Sequence, residues 1–160
     1  MKAKNNKIIL RYGENPHQAA GVYLAEDRTL GFEVLQGKAM SYNNLIDLEG
    51  AWQSVQPFDR PAVAIIKHTN PCGLAVAEDL ETAFERALES DPVSAFGSII
   101  AVNGVVTESL LDKIGKLFVE VLAAPDFTEG ALGWLAQRKK NCRAVKMGEG
   151  IEQSTQYRSC

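Results

Sequence analysis

The sequence predicts an α/β fold with a largely parallel sheet, and three features carry that prediction. Continuous apolar runs at 61–67 and 98–102 suit strands covered on both faces. Stretches with apolar residues on one helical face lie between such runs, the clearest at 79–91. From residue 61 onward the elements alternate β-α-β-α-β-α-β, an order that packs helices on a sheet whose strands run mostly the same way.

Along the chain, "AAGVYLAE" (19–26) and "FEVLQGK" (32–38) read as short strands separated by the turn-rich "DRTLG". In "NLIDLEGAWQSVQ" (44–56), Leu45, Leu48, Ala51, Trp52 and Val55 form one helical face, and Pro57 stops it. "PAVAIIK" (61–67) is a central strand. In "DLETAFERALESD" (79–91), Leu80, Ala83, Phe84, Ala87 and Leu88 share a face, Asp79 caps the start and Pro92 ends the helix. "SIIAVNG" (98–104) is the next strand, and a helix runs from a Thr107 cap to Leu117. "VEVLAA" (119–124) is a strand broken at Pro125. Thr128 starts a helix ending in "QRKK", whose cations suit the negative end of the helix dipole, and "CRAVKM" (142–147) closes the pattern. After Met147 the periodicity dissolves into "GEGIEQSTQYRSC".

A chain of this length is one domain or part of a larger one, and 46% hydrophobic with 23% charged residues is an ordinary globular mix. A net charge of −3 gives no basic field to hold nucleic acid or an anionic membrane. A phosphorylated ligand stays compatible, since local cations and backbone amides bind phosphate on an acidic protein. No apolar stretch approaches the roughly 20 residues that span a bilayer. The basic start is followed by only three consecutive aliphatics, too few for a signal peptide. Cys72, Cys142 and Cys160 are odd in number and widely spaced, which favours free thiols and a cytoplasmic setting.

The chemistry-bearing residues crowd into "KHTNPCG" (67–73) and "RYGENPHQ" (11–18). Ligands of open α/β sheets collect beyond the carboxyl ends of strands, where "KHTNPCG", "NGVVT" and "APDFT" fall. The loop "SDPVSAFGS" (90–98) instead leads into a strand, so strand order alone does not bring it to the first loop. A deaminase-type zinc site needs His-x-Glu and Pro-Cys-x-x-Cys; Asn70 and Ala75 occupy the required Glu and Cys positions, which argues against metal. Cys72 reads more simply as a small buried thiol than as a nucleophile. Lys67 and His68 admit two readings. His68 moves a proton while Lys67 offers charge to a developing anion, or a solvated lysine adjoins a half-buried histidine. Arg11 and Tyr12 fit a surface ion pair or a phosphate clamp, and Gly97 a close backbone approach or a strand-entry kink.

Four stretches, in order, resemble the signature elements of one family, the AICAR transformylases. They are "LRYGENPHQ" (10–18), "GKAMSYNN" (37–44), "KHTNPCG" (67–73) and "SDPVSAFGSIIA" (90–101), and the similarity spans residues 8–147. The resemblance implies a cytidine-deaminase-like three-layer sandwich on a mostly parallel mixed sheet, without the deaminase zinc. It implies formyl transfer from 10-formyltetrahydrofolate to the 5-amino group of AICAR, giving FAICAR. By the same similarity His68 is the general base and Lys67 stabilises the transition state. Arg11, Tyr12, Asn44, Gly97 and Glu120 match positions that contact the nucleotide.

The resemblance also sets expectations about organisation. Residues 1–150 match the first half of a duplicated transformylase domain, and 151–160 read as a tail or lead-in to a second half that supplies most of the folate site. IMP formation is not expected of this chain. A homodimer, or a complementing second-half polypeptide, is the expected partner beside the AICAR nucleotide. Ser98 stands where many members carry a second glycine. The rival classes are a non-catalytic nucleotide-binding or assembly module and, weakest, a zinc hydrolase.

Overall fold

A computed structural model describes residues 7–23 and 31–148. These form β1 (Lys7–Ile9), β2 (Gly21–Tyr23), β3 (Phe32–Gln36), α1 (Tyr42–Val55), β4 (Ala62–Lys67) and β5 (Asn70–Val76). Then come α2 (Leu80–Ser90), β6 (Ser98–Val102), α3 (Glu108–Ile114), β7 (Val119–Ala124), α4 (Glu129–Arg138) and β8 (Arg143–Met147). The expected tail at 151–160, Cys160, and most of the turn between the first two expected strands lie outside the described residues.

Six strands make one mixed sheet in the order β3-β8-β7-β6-β4-β5, while β1 and β2 pair antiparallel beside it. Only β6-β7 and β7-β8 are parallel; β3-β8, β4-β6 and β4-β5 are antiparallel. The expectation of a mostly parallel sheet is therefore corrected. Its cause is β5, hidden in the stretch expected to be a loop. Pro71 and Gly73 suppress a strand reading, yet β5 turns straight back along β4 and becomes an edge strand, where proline is tolerated. The described part of the strand expected at 19–26 is β2, and that of 32–38 is β3. β2 pairs with β1 and β3 with β8.

Period-two alternation splits the sheet into two cores. On one face Val63, Ile65, Ile100, Val102 and Leu122 pack against α2, α3 and α4, with Phe84 at 1% exposure. Burying a phenylalanine this completely is worth about 2–3 kcal/mol. On the other face Ala64, Ile66, Ile99, Ala101 and Val121 receive Leu45, Leu48, Trp52 and Val55 of α1. Helices thus cover both faces, giving three layers.

The helices start where their caps allow. Asp79, Thr107 and Thr128 each accept a backbone N–H from the third residue on, at the three positions expected from sequence. α1 begins two residues earlier than expected, because Ser41 and Asn44 form a reciprocal capping box. α3 ends at Ile114, earlier than Leu117, because Gly115 adopts φ +52 and its N–H closes on Leu111 O at 2.8 Å.

Candidate active site

The antiparallel turn of β4 against β6 decides what meets what. Ile66 pairs with Ile99, so the carboxyl end of β4 lies beside the amino end of β6. The parallel partners β7 and β8 start at this same end, with Ser98 opposite Val119 and Val121 opposite Arg143. Lys67, His68, Gly97, Glu120 and Arg143 therefore share one end of the sheet. The loops "NGVVT" and "APDFT" sit at the other end, where Val106 bridges Phe127 and the Asn103 carboxamide caps the start of β4. Their expected place beside "KHTNPCG" is corrected, and the loop leading into β6 takes that place instead.

Lys67 and Asn70 close a two-residue hairpin whose central residues, His68 and Thr69, have φ 51° and 60°. This is the φ pattern of a type I′ turn, which matches strand twist but favours Asn-Gly over His-Thr. The Asp47 carboxylate compensates, accepting the His68 N–H at 3.0 Å and the Thr69 N–H at 2.7 Å. Main chain is fixed while the imidazole stays exposed, hydrogen-bonded to no described residue. Lys67 Nζ donates to Phe96 O at 2.6 Å, which ties the ammonium to the loop before β6 and leaves two of its three donors available.

Gly97 follows directly. It has φ +74, and its N–H donates to Phe118 O at 2.7 Å. A Cβ here would meet only the Phe118 ring at 3.6 Å, an ordinary contact, so the backbone angle rather than crowding requires glycine.

The other flank is a side-chain network. Arg143 is 4% exposed; its Nε and Nη2 donate to Ala39 O at 3.2 and 3.0 Å, and Nε also to Lys38 O at 3.0 Å. Its Nη1 lies 3.8 Å from Glu120 Oε2. Burial lowers the Arg143 pKa from its ordinary value, and Glu120 opposes that shift. Val119 and Val121 face opposite cores because the β6-β7 register slips between Ser98 and Ile99. Glu120 is the extra residue of this bulge, which turns its carboxylate toward α1. There Asn44 Nδ2 donates to Glu120 Oε2 at 2.9 Å, while Asn44 Oδ1 accepts the Ser41 N–H. Arg11 and Tyr12 lie alongside. The Arg11 N–H donates to Met40 O and the Tyr42 N–H to Tyr12 O, and the exposed Arg11 guanidinium sits 5.4 Å from the Tyr12 ring centroid.

α1 joins the flanks. Asn44 and Asp47 are three residues apart and share a helix face; one holds Glu120 on β7, the other holds the turn after β4. Asp47 and Arg143 escape sequence reasoning because each hides in an amphipathic pattern. One buried Asp beside Leu48, or one Arg opening a strand, looks like a surface residue. The available signal for Arg143 is that it starts a strand otherwise apolar at Ala144, Val145 and Met147.

Among the described residues, neither Cys72 nor Cys142 fits a nucleophile. Burial, then Asp91, raises the Cys72 pKa above its ordinary value, and burial pushes Cys142 up to about 11. Among the described residues no three His, Cys, Asp or Glu side chains gather to hold a metal ion. Nor is any described helix long and apolar enough to cross a membrane. An open groove of about 460 Å³ runs beside α1, lined by Ile46, Glu49, Gln53, Ile66, Thr69 and Pro71. It touches the turn but holds neither the Lys67 ammonium nor Arg11. The convergent polar groups lie instead along the sheet end.

The chain is 47% identical over 146 residues to the bifunctional purine biosynthesis protein PurH of Persephonella marina, and 49% identical over 146 residues to that of Brucella anthropi. Each match covers 88% of this chain but only 28% and 27% of those proteins, so the chain spans about a quarter of their length. The family model described as AICARFT/IMPCHase bienzyme matches residues 1–160, and the chain belongs to that family.

Proposed function

We propose that this chain carries the Lys-His pair and part of the nucleotide site of an AICAR formyltransferase, working in purine biosynthesis. The amine nitrogen of AICAR attacks the formyl carbon of 10-formyltetrahydrofolate, and the bond from that carbon to N10 breaks. The amine proton passes to His68, and N10 of the departing tetrahydrofolate takes up a proton. An aromatic amine is a weak nucleophile, so an unencumbered imidazole and an adjacent ammonium must act together. His68 serves as base and Lys67 steadies the developing negative charge with its remaining donors. Arg11 and Tyr12 hold the nucleotide phosphate end, the Gly97 main chain approaches the ligand, and Asn44 contacts it from α1 and Glu120 from β7.

One observation carries this reading. An exposed imidazole on a main-chain-anchored turn shares a sheet end with the Arg11–Tyr12 pair, α1 bridging the two flanks. β4 and β7 are two strand spacings apart, roughly 10 Å, a span that one bound nucleotide bridges. The folate side of the site is assigned to a second-half polypeptide or a second copy, consistent with relatives more than three times as long.

The test is formyl transfer by the complete native protein. Lys67→Ala and His68→Ala should each lower kcat by about 100-fold or more, since general-base steps contribute on that scale. AICAR binding with no transfer by the wild-type protein would instead identify a non-catalytic nucleotide-binding module.

A further inference from the structure

Resting on the formyl-transfer reading, we infer that Asp47 is a positioning residue for that reaction: its carboxylate clamps the turn that presents His68. His68 and Thr69 are the non-glycine residues with positive φ among the described residues, and they are consecutive. Left-handed backbone is unfavourable for side chains of this kind, and a β-branched threonine is among the worst suited. A turn with its N–H groups converging forms a small anion-binding concavity. Asp47, 8% exposed, fills it with one oxygen per N–H, at 3.0 and 2.7 Å.

The imidazole itself forms no hydrogen bond or ion pair with a described residue, so no polar partner fixes its position. Where the backbone of residue 68 goes, the base goes. Asp47 also sits one turn along α1 from Asn44, which holds Glu120. The same rigid helix therefore sets the separation between the proton-accepting side and the nucleotide-holding side. A carboxylate that never touches substrate thereby controls catalytic geometry.

The experiment compares the complete native protein with Asp47→Asn, Thr69→Gly and the double variant. Asparagine keeps the shape but replaces one acceptor with a donor, so one N–H loses its partner. Asp47→Asn should lower kcat about 10- to 100-fold while the AICAR KM changes less than about threefold. Glycine accepts the left-handed angle unaided, so adding Thr69→Gly should recover roughly fivefold or more of the lost kcat. Hydrogen exchange over 66–71, read by mass spectrometry, should be slow in the wild type and fast in Asp47→Asn. Near-normal kcat in Asp47→Asn, or no recovery in the double variant, overturns the assignment. Rapid wild-type exchange over 66–71 overturns it too, even if Asp47→Asn fails to fold. Absence of transfer in a wild type whose 66–71 segment is protected counts against the reaction rather than against the clamp.

Discussion

On the β4–β5 side of the sheet end, the chemical groups are held through their main chain. On the β7–β8 side they are held through one another. Lys67 and His68 sit on a hairpin fixed by Asp47 and by pairing along β5, which leaves an imidazole and two ammonium donors uncommitted. Asn44, Glu120 and Arg143 spend most of their donors and acceptors on each other and on nearby carbonyls. Under the proposed function, the first set moves protons and needs free atoms on a rigid base, while the second shapes the ligand's bed and gains rigidity from being tied together.

The sharpest way to break that contrast is at Gly73, where the hairpin meets α2. A Cβ there would lie 1.9 Å from Ala87 O and 2.7 Å from Ala87 C, both main-chain atoms that cannot rotate away. Gly73→Ala must push β5 off the helix and should destabilise the protein by about 3 kcal/mol or more, measured by urea unfolding. The control is Gly133→Ala in α4, where nothing lies within 4 Å. There the better helix propensity should add about 0.5–1 kcal/mol. A loss at Gly73 below about 1 kcal/mol would mean that the hairpin is not pinned from behind.

The network side should respond differently to losing its cation. Arg143→Met strips the donors from the carbonyls of Lys38, Ala39 and Glu120 at a 4% exposed position. The expected loss is about 2–3 kcal/mol, most of it from those stranded carbonyls. Glu120→Gln should lose less than about 1 kcal/mol, because the carboxylate is 38% exposed and solvent screens its ion pair. Equal losses in the two variants would show that the ion pair, not the carbonyl bonds, carries the network.

The same contrast explains what the sequence disclosed. Helix caps at Asp79, Thr107 and Thr128, and the buried strands at 62–67, 98–102 and 119–124, were legible because capping and continuous apolarity are local signals. Strand direction was not. Nothing local says that β4 doubles back through β5, since Pro71 and Gly73 belong equally to a loop and to an edge strand bent by a bulge. Missing β5 put "NGVVT" and "APDFT" at the wrong end of the sheet and left the meeting of Lys67 with the Phe96–Gly97 segment undetermined. Arg11, Tyr12, Lys67 and His68 stood out as reactive types in turn-rich segments. Asp47 and Arg143 did not, because their work depends on partners 21 and 105 residues away in sequence.

The smallest expected effect concerns the Lys67 flank in acid. Asp91, beside the loop that receives Lys67, accepts the Ser94 N–H at 3.0 Å. Hydrogen bonds from the Ser94 side chain and backbone hold its pKa below the ordinary carboxylate value, with Lys67 adding to the same direction. A depressed folded-state pKa contributes stability that is complete above the unfolded value, about pH 4, and disappears as pH falls through the lower folded value. Asp91→Asn keeps an acceptor for Ser94 yet cannot titrate. Its urea midpoint should lie close to wild type at pH 7, and it should lose less than wild type between about pH 4 and pH 2. If both proteins weaken equally over that range, Asp91 does not link the loop to Lys67 through its charge. The hairpin side would then owe its geometry to strand pairing, the Asp47 carboxylate and the Lys67 bond to Phe96 O, without help from Asp91.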